Sequence, residues 1–402
     1  MMGLAADIRH IVRSLMRRPS FSVAAILTLG LGIAGVISIV AIADMVLLRP
    51  LPYPKRDRLY AVSATIPGPD AKPAPYLLST VEYVRVKSQI TSLEDVEAMT
   101  PGEMALSSGS GPVTVRIGFA SSGYLSLFGL DPPRGRPFTE AEQRDQTPVV
   151  VLDGGFWARQ FGRDAGVLGS TILLDGRPFV VIGITEAGYQ PQLQKLDAWI
   201  PLRAVVEPGR GGGPRNLIAA ARLSPSASPE RAAQELRTIE ASIAKEFPDT
   251  HARAALVFLD LHEALYGSYR PILLLLFAGV VVLLLIACSN VANLTLARAA
   301  ERMSEVSLRL SLGASRWRVV RYQLTESVCL TLAGIAIGSL LSWWAVTSVL
   351  AIDPDALPSD ARRGVSPAGA VAMALVFLVT SAIAGLLPMM KPRQYFACFS
   401  DP

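Results

Sequence analysis

Two long apolar runs, residues 271–297 and 324–350, constrain this chain more than any other feature. The first run carries no charged residue, and the second carries only Glu326. Because roughly 20 apolar residues in a helix cross the hydrocarbon core of a bilayer, each run is long enough to span a membrane. The segment between them contains six arginines against Glu301 and Glu305. Since short arginine-rich loops stay in the cytoplasm, the sequence predicts two membrane helices joined on that side.

Residues 21–48 and 371–390 form two further apolar runs, so four membrane helices are predicted, with both termini in the cytoplasm. Residues 1–20 are expected to form an amphipathic helix at the cytoplasmic interface. The stretch Ala41-Ile-Ala43 resembles a signal-peptide cleavage site, but the apolar run around it exceeds the usual signal core of about 7–15 residues. We therefore expect a retained signal-anchor. A mean hydropathy of +0.39 agrees with a multi-pass membrane protein.

The long segment between the first two runs, residues 49–270, has the alternating pattern of a folded extracytoplasmic domain. Strands are predicted at 59–64, 113–120, 217–223 and 254–261. Ser79 and Glu82 match a capping box at the start of one helix, and Ser228 precedes a proline at the start of another. Two strand–helix–strand units predict a split βαβ layer, with a mixed subdomain inserted between them at about 121–215.

Turn and cap signals divide the insertion into short elements. Asp175-Gly176 lies in the middle of residues 171–183 and predicts a β-hairpin. Residues 124–129 predict a short helix closed by a glycine, and Asp153 can cap another helix that ends near Gly162. The predicted fold class is therefore an α-helical polytopic membrane protein with a large extracytoplasmic α+β domain.

The sequence lacks the common motifs of nucleotide and metal chemistry. It has no Gly-x-x-x-x-Gly-Lys-Ser/Thr run, so the chain is not expected to hydrolyse ATP by itself. Its histidines, His10, His251 and His262, lack the clustered partners of a zinc site, and no cofactor or metal is expected. His262 is expected on the surface beside Glu263. The net charge of +5 comes from basic residues near the spans and does not require nucleic acid as a partner.

The basic segment at 298–321 has a helical order of its own. Glu305 and Arg309 lie four residues apart on one helical face. Gly313 suits the end of that helix, and Ser315 can cap the next one. One interpretation is a compact cytoplasmic knuckle, and the other is a solvated basic loop that only sets topology.

A resemblance to a known family favours the first interpretation. The run Glu305-Val-Ser-Leu-Arg-Leu-Ser-Leu-Gly-Ala-Ser-Arg-Trp-Arg318 resembles the cytoplasmic segment of MacB/FtsX-type ABC transporter permeases. Residues 9–54 resemble the N-terminal stretch of a large subgroup of these permeases, and most of residues 60–260 resemble the MacB-type periplasmic core domain. The resemblance implies that the cytoplasmic segment docks on a separate ABC ATPase subunit. The coupling residues that it indicates are Glu305, Arg309, Gly313, Ala314, Ser315 and Arg316.

Small and amide side chains inside the spans are candidates for helix contacts. Gly334 and Gly338 are four residues apart, a spacing that permits close helix packing. Asn290 and Asn293 lie one turn apart and are expected to bond to a neighbouring helix, or else to line a polar path, because uncovered amides are costly in lipid.

The resemblance implies a permease subunit of a bacterial cytoplasmic (inner) membrane. In this interpretation ATP-driven movement of the ATPase is transmitted to the periplasmic domain and drives export of a substrate. The alternative is an ATPase-independent membrane sensor or scaffold. Members of the subgroup commonly carry a second permease module, and residues 389–402 depart from the family's basic continuation. We therefore expect either a homodimer of single modules or the front half of a truncated duplicated permease, non-functional alone, with membrane lipid around it.

Overall fold

The computed structural model describes residues 19–44, 50–65, 77–108, 111–187, 195–203, 212–301 and 316–352, and the positions 371, 374, 375 and 378. The chain separates into two compact units. The first unit is formed by Met1–Arg49 with Tyr269–Pro402, and the second by Pro50–Ser268.

The described helices and strands are numbered in chain order. The helices are α1 Pro19–Ala43, α2 Thr80–Gln89, α3 Tyr124–Leu127, α4 Glu140–Arg144, α5 Gly154–Phe161, α6 Pro229–Glu246, α7 Pro248–His251, α8 Leu261–Tyr266, α9 Arg270–Glu301 and α10 Arg316–Ile352. The strands are β1 Leu59–Thr65, β2 Leu77–Ser79, β3 Leu93–Ser108, β4 Gly111–Ala120, β5 Arg134–Gly135, β6 Val149–Leu152, β7 Thr171–Leu174, β8 Arg177–Ile184, β9 Ala198–Pro201, β10 Arg215–Leu223 and β11 Ala255–Asp260.

Three long apolar helices form the described part of the first unit. Helix α1 packs against α9 and α10, and the outward side chains are apolar as well, as in Leu275, which is 75% exposed. Because lipid solvates such side chains, this pattern is typical of helices that meet a bilayer. Their shared core consists of Ala25, Leu29, Ile33, Val36, Leu284, Cys288, Val291 and Leu330.

Within the described residues, two stretches are long and apolar enough to cross a membrane. They are Ser22–Ala43 and Leu261–Val291, and α10 contains the shorter apolar stretch Val328–Trp344. Nearly all of the fourth predicted span at 371–390 lies outside the described residues, as does the predicted amphipathic helix before residue 19. The count of four membrane helices therefore stays a prediction.

The second unit is built on one continuous mixed sheet. Its main strand order is β11-β1-β10-β3-β4-β9-β6-β8-β5. Strand β1 pairs antiparallel with both β10 and β11, and β10 also pairs antiparallel with β3. Each of the units β1–α2–β3 and β10–α6–β11 therefore has a strand of the other between its own two strands. This is the split βαβ arrangement that the sequence pattern predicts.

One strand assignment in that layer was wrong. The sequence pattern placed the second strand of the first unit at 113–120, but this stretch is β4, the antiparallel hairpin partner of β3. Strand β3 occupies that place and runs for 16 residues. Its sequence contains Pro101-Gly102, which signals a turn rather than a strand interior, so the alternating pattern is hidden.

The insertion extends the same sheet instead of forming a second one. Strand β9 pairs in parallel with β4 and antiparallel with β6. The predicted hairpin β7–β8 is confirmed, with Asp175 at φ 47° and Gly176 at φ 72°. Because two successive left-handed residues make a type I′ turn, the Asp-Gly pair fits this position. Asp153 caps α5, as predicted, by accepting the backbone N–H groups of Gly155 and Phe156.

The sheet contributes to three apolar cores, and alternate side chains of β10 belong to two of them. On β10, Leu217, Ala219 and Ala221 pack under α2 and α6, whereas Ala220 belongs to the core on the other face. This alternation follows from the two-residue period of a strand. Helix α2 begins with the predicted capping box between Ser79 and Glu82. The connection core and the buried polar cluster described below lie in these two cores.

Candidate functional site

The predicted ATPase-coupling segment falls largely outside the described residues. Glu305, Arg309, Gly313, Ala314 and Ser315 all lie in the gap between α9 and α10. The backbone of Arg316 begins α10. The docking role of this segment accordingly stays a prediction.

The predicted glycine pair of α10 lies against α1. A Cβ atom added to Gly338 would meet the backbone oxygen of Gly30 at 2.9 Å and the nitrogen of Ala34 at 3.1 Å. A Cβ added to Gly334 would meet the Cβ of Leu29 at 3.1 Å. These distances leave no room for a larger side chain at Gly338, because the atoms that it would meet belong to backbone.

Helix α1 uses other glycines on its contact with α9. Added Cβ atoms at Gly32 and Gly35 would meet Leu284 at 3.1 Å and Val280 at 3.0 Å. Glycines 30, 32 and 35 therefore let α1 approach two neighbours closely, a role that the sequence analysis missed although the Gly-x-Gly-x-x-Gly spacing was visible. A hydrogen bond of 2.9 Å between the hydroxyls of Ser38 and Ser342 adds a polar link between α1 and α10.

Asn290 and Asn293 occupy an exposed face of α9. Within the described residues, no neighbouring helix covers either amide. Their predicted role as bonds to another helix remains a proposal.

The first and last segments of the second unit share a single apolar core, called the connection core here. Leu51 and Tyr53 follow α1 in the chain, and Leu261 and Leu265 precede α9. The ring of Tyr53 meets the ring of Phe128 edge-on, with 5.1 Å between centroids. This connection core also includes Leu59, Ala61, Met99, Ala120, Tyr124, Leu125, Leu127, Leu130, Phe138, Val149, Val151, Leu196, Trp199 and Ala220.

A buried polar cluster lies in the other core, beneath α2 and α6. The Glu82 side chain is fully buried and accepts hydrogen bonds from Nη1 of Arg215 at 2.6 Å and from the backbone N–H of Ser79 at 2.7 Å. Nε2 of His251 lies 3.1 Å from the Ser79 hydroxyl and 3.6 Å from Glu82 Oε1. The cluster therefore joins α2, β10 and α7 through one carboxylate.

Glu240 of α6 borders this cluster and is only 5% exposed. Burial, together with the nearby charge of Glu82, raises the pKa of Glu240 to about 7, although Arg215 opposes the shift. Burial also lowers the pKa of His251 below its usual value, since an imidazolium loses hydration there. Only the Ser79–Glu82 pair of this cluster was predicted from the sequence, because the other members of the cluster lie more than 130 residues further along the chain.

The described residues contain no group of three or more His, Cys, Asp and Glu side chains that could hold a metal ion. His262 packs its ring against Tyr266, with 5.3 Å between centroids, and does not join the buried cluster.

Two family models match successive parts of the chain. A family model of the MacB-like periplasmic core domain matches residues 22–239, which is more than half of the chain, and a model of the FtsX-like permease C-terminal region matches residues 277–395. Apolar helices and a large mixed-sheet domain define the general class, a membrane protein with a large extracytoplasmic domain. Within that class, the chain belongs to the family of MacB/FtsX-type ABC transporter permeases.

Individual relatives are distant. The macrolide export ATP-binding/permease protein MacB of Burkholderia thailandensis is 27% identical over 224 residues, covering 54% of this chain and 33% of that protein. A "probable export ATP-binding/permease protein" of Pseudomonas fluorescens is 26% identical over 353 residues, covering 85% of this chain and 51% of its own length. The chain thus spans about half or less of these relatives. The periplasmic region of MacB from Actinobacillus actinomycetemcomitans has a similar solved structure, with 19% identity, a TM-score of 0.38, and 50% of this chain and 88% of that chain covered.

These matches identify the chain as an inner-membrane ABC transporter permease with a periplasmic domain. Neither matched domain is an ATPase domain.

Proposed function

We propose that this permease transmits ATP-driven movement of a separate ATPase subunit to its periplasmic domain and so drives export of a substrate. The observation that carries the proposal is the connection core, in which the segments after α1 and before α9 are buried together. Leu51 is 6% exposed and Leu261 is 4% exposed. Because a close-packed core transmits displacement with little compression, movement of either connection is passed to the whole second unit.

The helix contacts of the first unit support the same function. Helix α1 is held against α9 through Gly32 and Gly35 and against α10 through Gly30. Since α9 and α10 lead into and out of the proposed coupling segment at 298–321, a force applied to that segment reaches α1 through these contacts. The proposal also includes four membrane helices with both termini in the cytoplasm. It further includes surrounding lipid and pairing with a second copy or permease half.

The docking residues are tested by association with the ATPase. Gly313→Val should distort the turn that the sequence predicts at this glycine, and Glu305→Arg reverses a charge on the proposed docking face. We expect both variants to enter the membrane normally and to lose co-purification of an ABC ATPase from membranes. Glu230→Arg, a reversal on an exposed position of α6, is the matched control and is expected to retain the ATPase.

Undiminished association of both cytoplasmic variants would contradict the docking role. If no ABC ATPase accompanies even the unaltered chain, the alternative of an ATPase-independent sensor or scaffold is favoured.

A further inference from the structure

The buried face of α6 contains one ionisable side chain. Its apolar members are Ala232, Leu236, Ile239 and Ile243, and Glu240 lies among them. Neither carboxyl oxygen of Glu240 has a hydrogen-bond partner among the residues that the structure describes, and the same holds for Nη2 of Arg215. A carboxyl group in such a place is tolerated when it is protonated, because a buried carboxylate without hydrogen bonds is costly.

The charges around Glu240 do not supply a free counter-ion. Arg215 of β10 is paired with Glu82 of α2, so this pair has no net charge. His251 of α7 is only 1% exposed, and its charged form is disfavoured there.

Two further charged groups on the packed elements, Arg85 and Asp260, have partners of their own. Arg85 of α2 pairs with Glu246 at the end of α6. Asp260 at the end of β11 accepts the backbone N–H groups of His262 and Glu263. The arrangement therefore favours a neutral acid at Glu240 and a neutral base at His251, both near the Glu82–Arg215 pair.

We propose that Glu240 and His251 make the packing of α6 onto α2 and the sheet responsive to the pH of the compartment that surrounds the domain, with opposite signs. Ionisation of Glu240 weakens this packing as the pH rises. Protonation of His251 weakens it as the pH falls. Glu240 and His251 both lie close enough to the Glu82–Arg215 pair to be influenced by its charges.

The contributions of Glu240 and His251 to stability each change over a defined pH range. The folded-state pKa of Glu240 is about 7 against an ordinary 4.5, so its contribution is complete below 4.5 and is lost as the pH rises to about 7. The folded-state pKa of His251 lies below the ordinary 6.5, so its contribution is complete above 6.5 and is lost on acidification. Between 4.5 and 6.5 the two groups act with opposite signs, so each reduces the pH dependence that the other would produce alone. Replacing one of the two residues therefore reveals the pH dependence of the other.

The proposed pH dependence is tested by amide hydrogen exchange of α6, measured on the whole chain in detergent. Protection factors, corrected for intrinsic exchange, are measured from about pH 5 to about pH 7.5 for the unaltered chain, Glu240→Gln and His251→Gln. Glu230→Gln is the control, because Glu230 lies exposed on the same helix.

We expect the unaltered chain and the control to lose less protection below about pH 6.5 than His251→Gln does. His251→Gln should lose protection as the pH rises, by about tenfold or more, since one pKa unit corresponds to a tenfold change in the opening equilibrium. Glu240→Gln should show the reverse slope. Parallel profiles for both variants and the unaltered chain overturn the proposal. If Glu240→Gln does not fold, Glu240→Met and the rising-pH loss in His251→Gln decide the question.

Discussion

A Cβ atom at Gly338 of α10 would lie 2.9 Å from the backbone oxygen of Gly30 in α1. A Cβ atom does not tolerate so short a distance to backbone, so this approach of the two helices requires glycine at position 338. A Cβ added to Gly30 would meet the Ile337 side chain at 3.2 Å. In a bilayer, where apolar side chains gain little from leaving lipid, such close backbone approach is a main source of helix association. The contact therefore links the first helix of the chain to the helix that follows the proposed coupling segment.

Gly338→Leu is expected to separate α1 from α10, because the new side chain meets backbone atoms that cannot rotate away. We expect a loss of roughly 1–3 kcal/mol in the free energy of unfolding, measured by thermal or denaturant unfolding of the purified protein in detergent. Gly279→Leu in α9 is the matched control, since a Cβ added there meets nothing within 4 Å. Equal losses in the two variants would show that the close contact at Gly338 does not itself stabilise the protein.

Two ion pairs from α2 to distant elements differ in burial and should differ in energy. Glu82→Gln leaves Arg215 without its charged partner where the Glu82 side chain is fully buried, so we expect a loss of about 3 kcal/mol. Glu246→Gln removes the partner of Arg85, but the Glu246 side chain is 50% exposed, and a loss of about 0–1 kcal/mol is expected. The two losses in the free energy of unfolding are compared by urea unfolding, with tryptophan fluorescence as the signal. A larger loss for Glu246→Gln would reverse the ranking that burial predicts.

Glu235 of α6 should make the domain sensitive to acid. Burial acts to raise its pKa, but hydrogen bonds from the backbone N–H groups of Thr91 and Ser92 and from the Thr91 hydroxyl outweigh it, and the pKa falls to about 2. A carboxylate with a lowered pKa contributes stability above its ordinary pKa of 4.5 and loses it as the pH falls from 4.5 towards 2. Glu235→Gln is expected to cost about 2 kcal/mol at neutral pH and little at the lowest pH. A constant cost across this range, measured by denaturant unfolding, would contradict the assignment.

The proposed topology places Ser88 and Ser315 on opposite sides of the membrane. Ser88 is exposed on α2 of the periplasmic domain. Single cysteines at these two positions, in a background without Cys288, Cys329 and Cys398, should react differently with an impermeant thiol reagent added to intact spheroplasts. We expect labelling at position 88 and protection at position 315 until the membrane is permeabilised. Labelling of both from outside would exclude the four-helix topology.

Local sequence patterns predicted the elements that depend on neighbouring residues. The capping box at Ser79 and Glu82, the Ser228 cap, and the Asp175-Gly176 hairpin are all confirmed because each rests on backbone hydrogen bonds within a few residues. The apolar runs predicted the long helices for a similar reason, since lipid requires length and hydrophobicity and these are properties of one segment. Strand β3 was missed because Pro101-Gly102 interrupts its local pattern, and its place is set by pairing with β10 and β4.

The sequence by itself determined that this chain enters a membrane, carries a mixed α+β domain and contains short local signals for caps and turns. Only the tertiary structure decided which glycines of α1 meet which helix, that Leu51 and Leu261 share one core, and that Arg215 and His251 surround Glu82. These relationships join positions that are more than 130 residues apart, and no local periodicity encodes them. They arise because apolar burial and the pairing of buried charges are satisfied across the whole fold, wherever the chain brings complementary groups together.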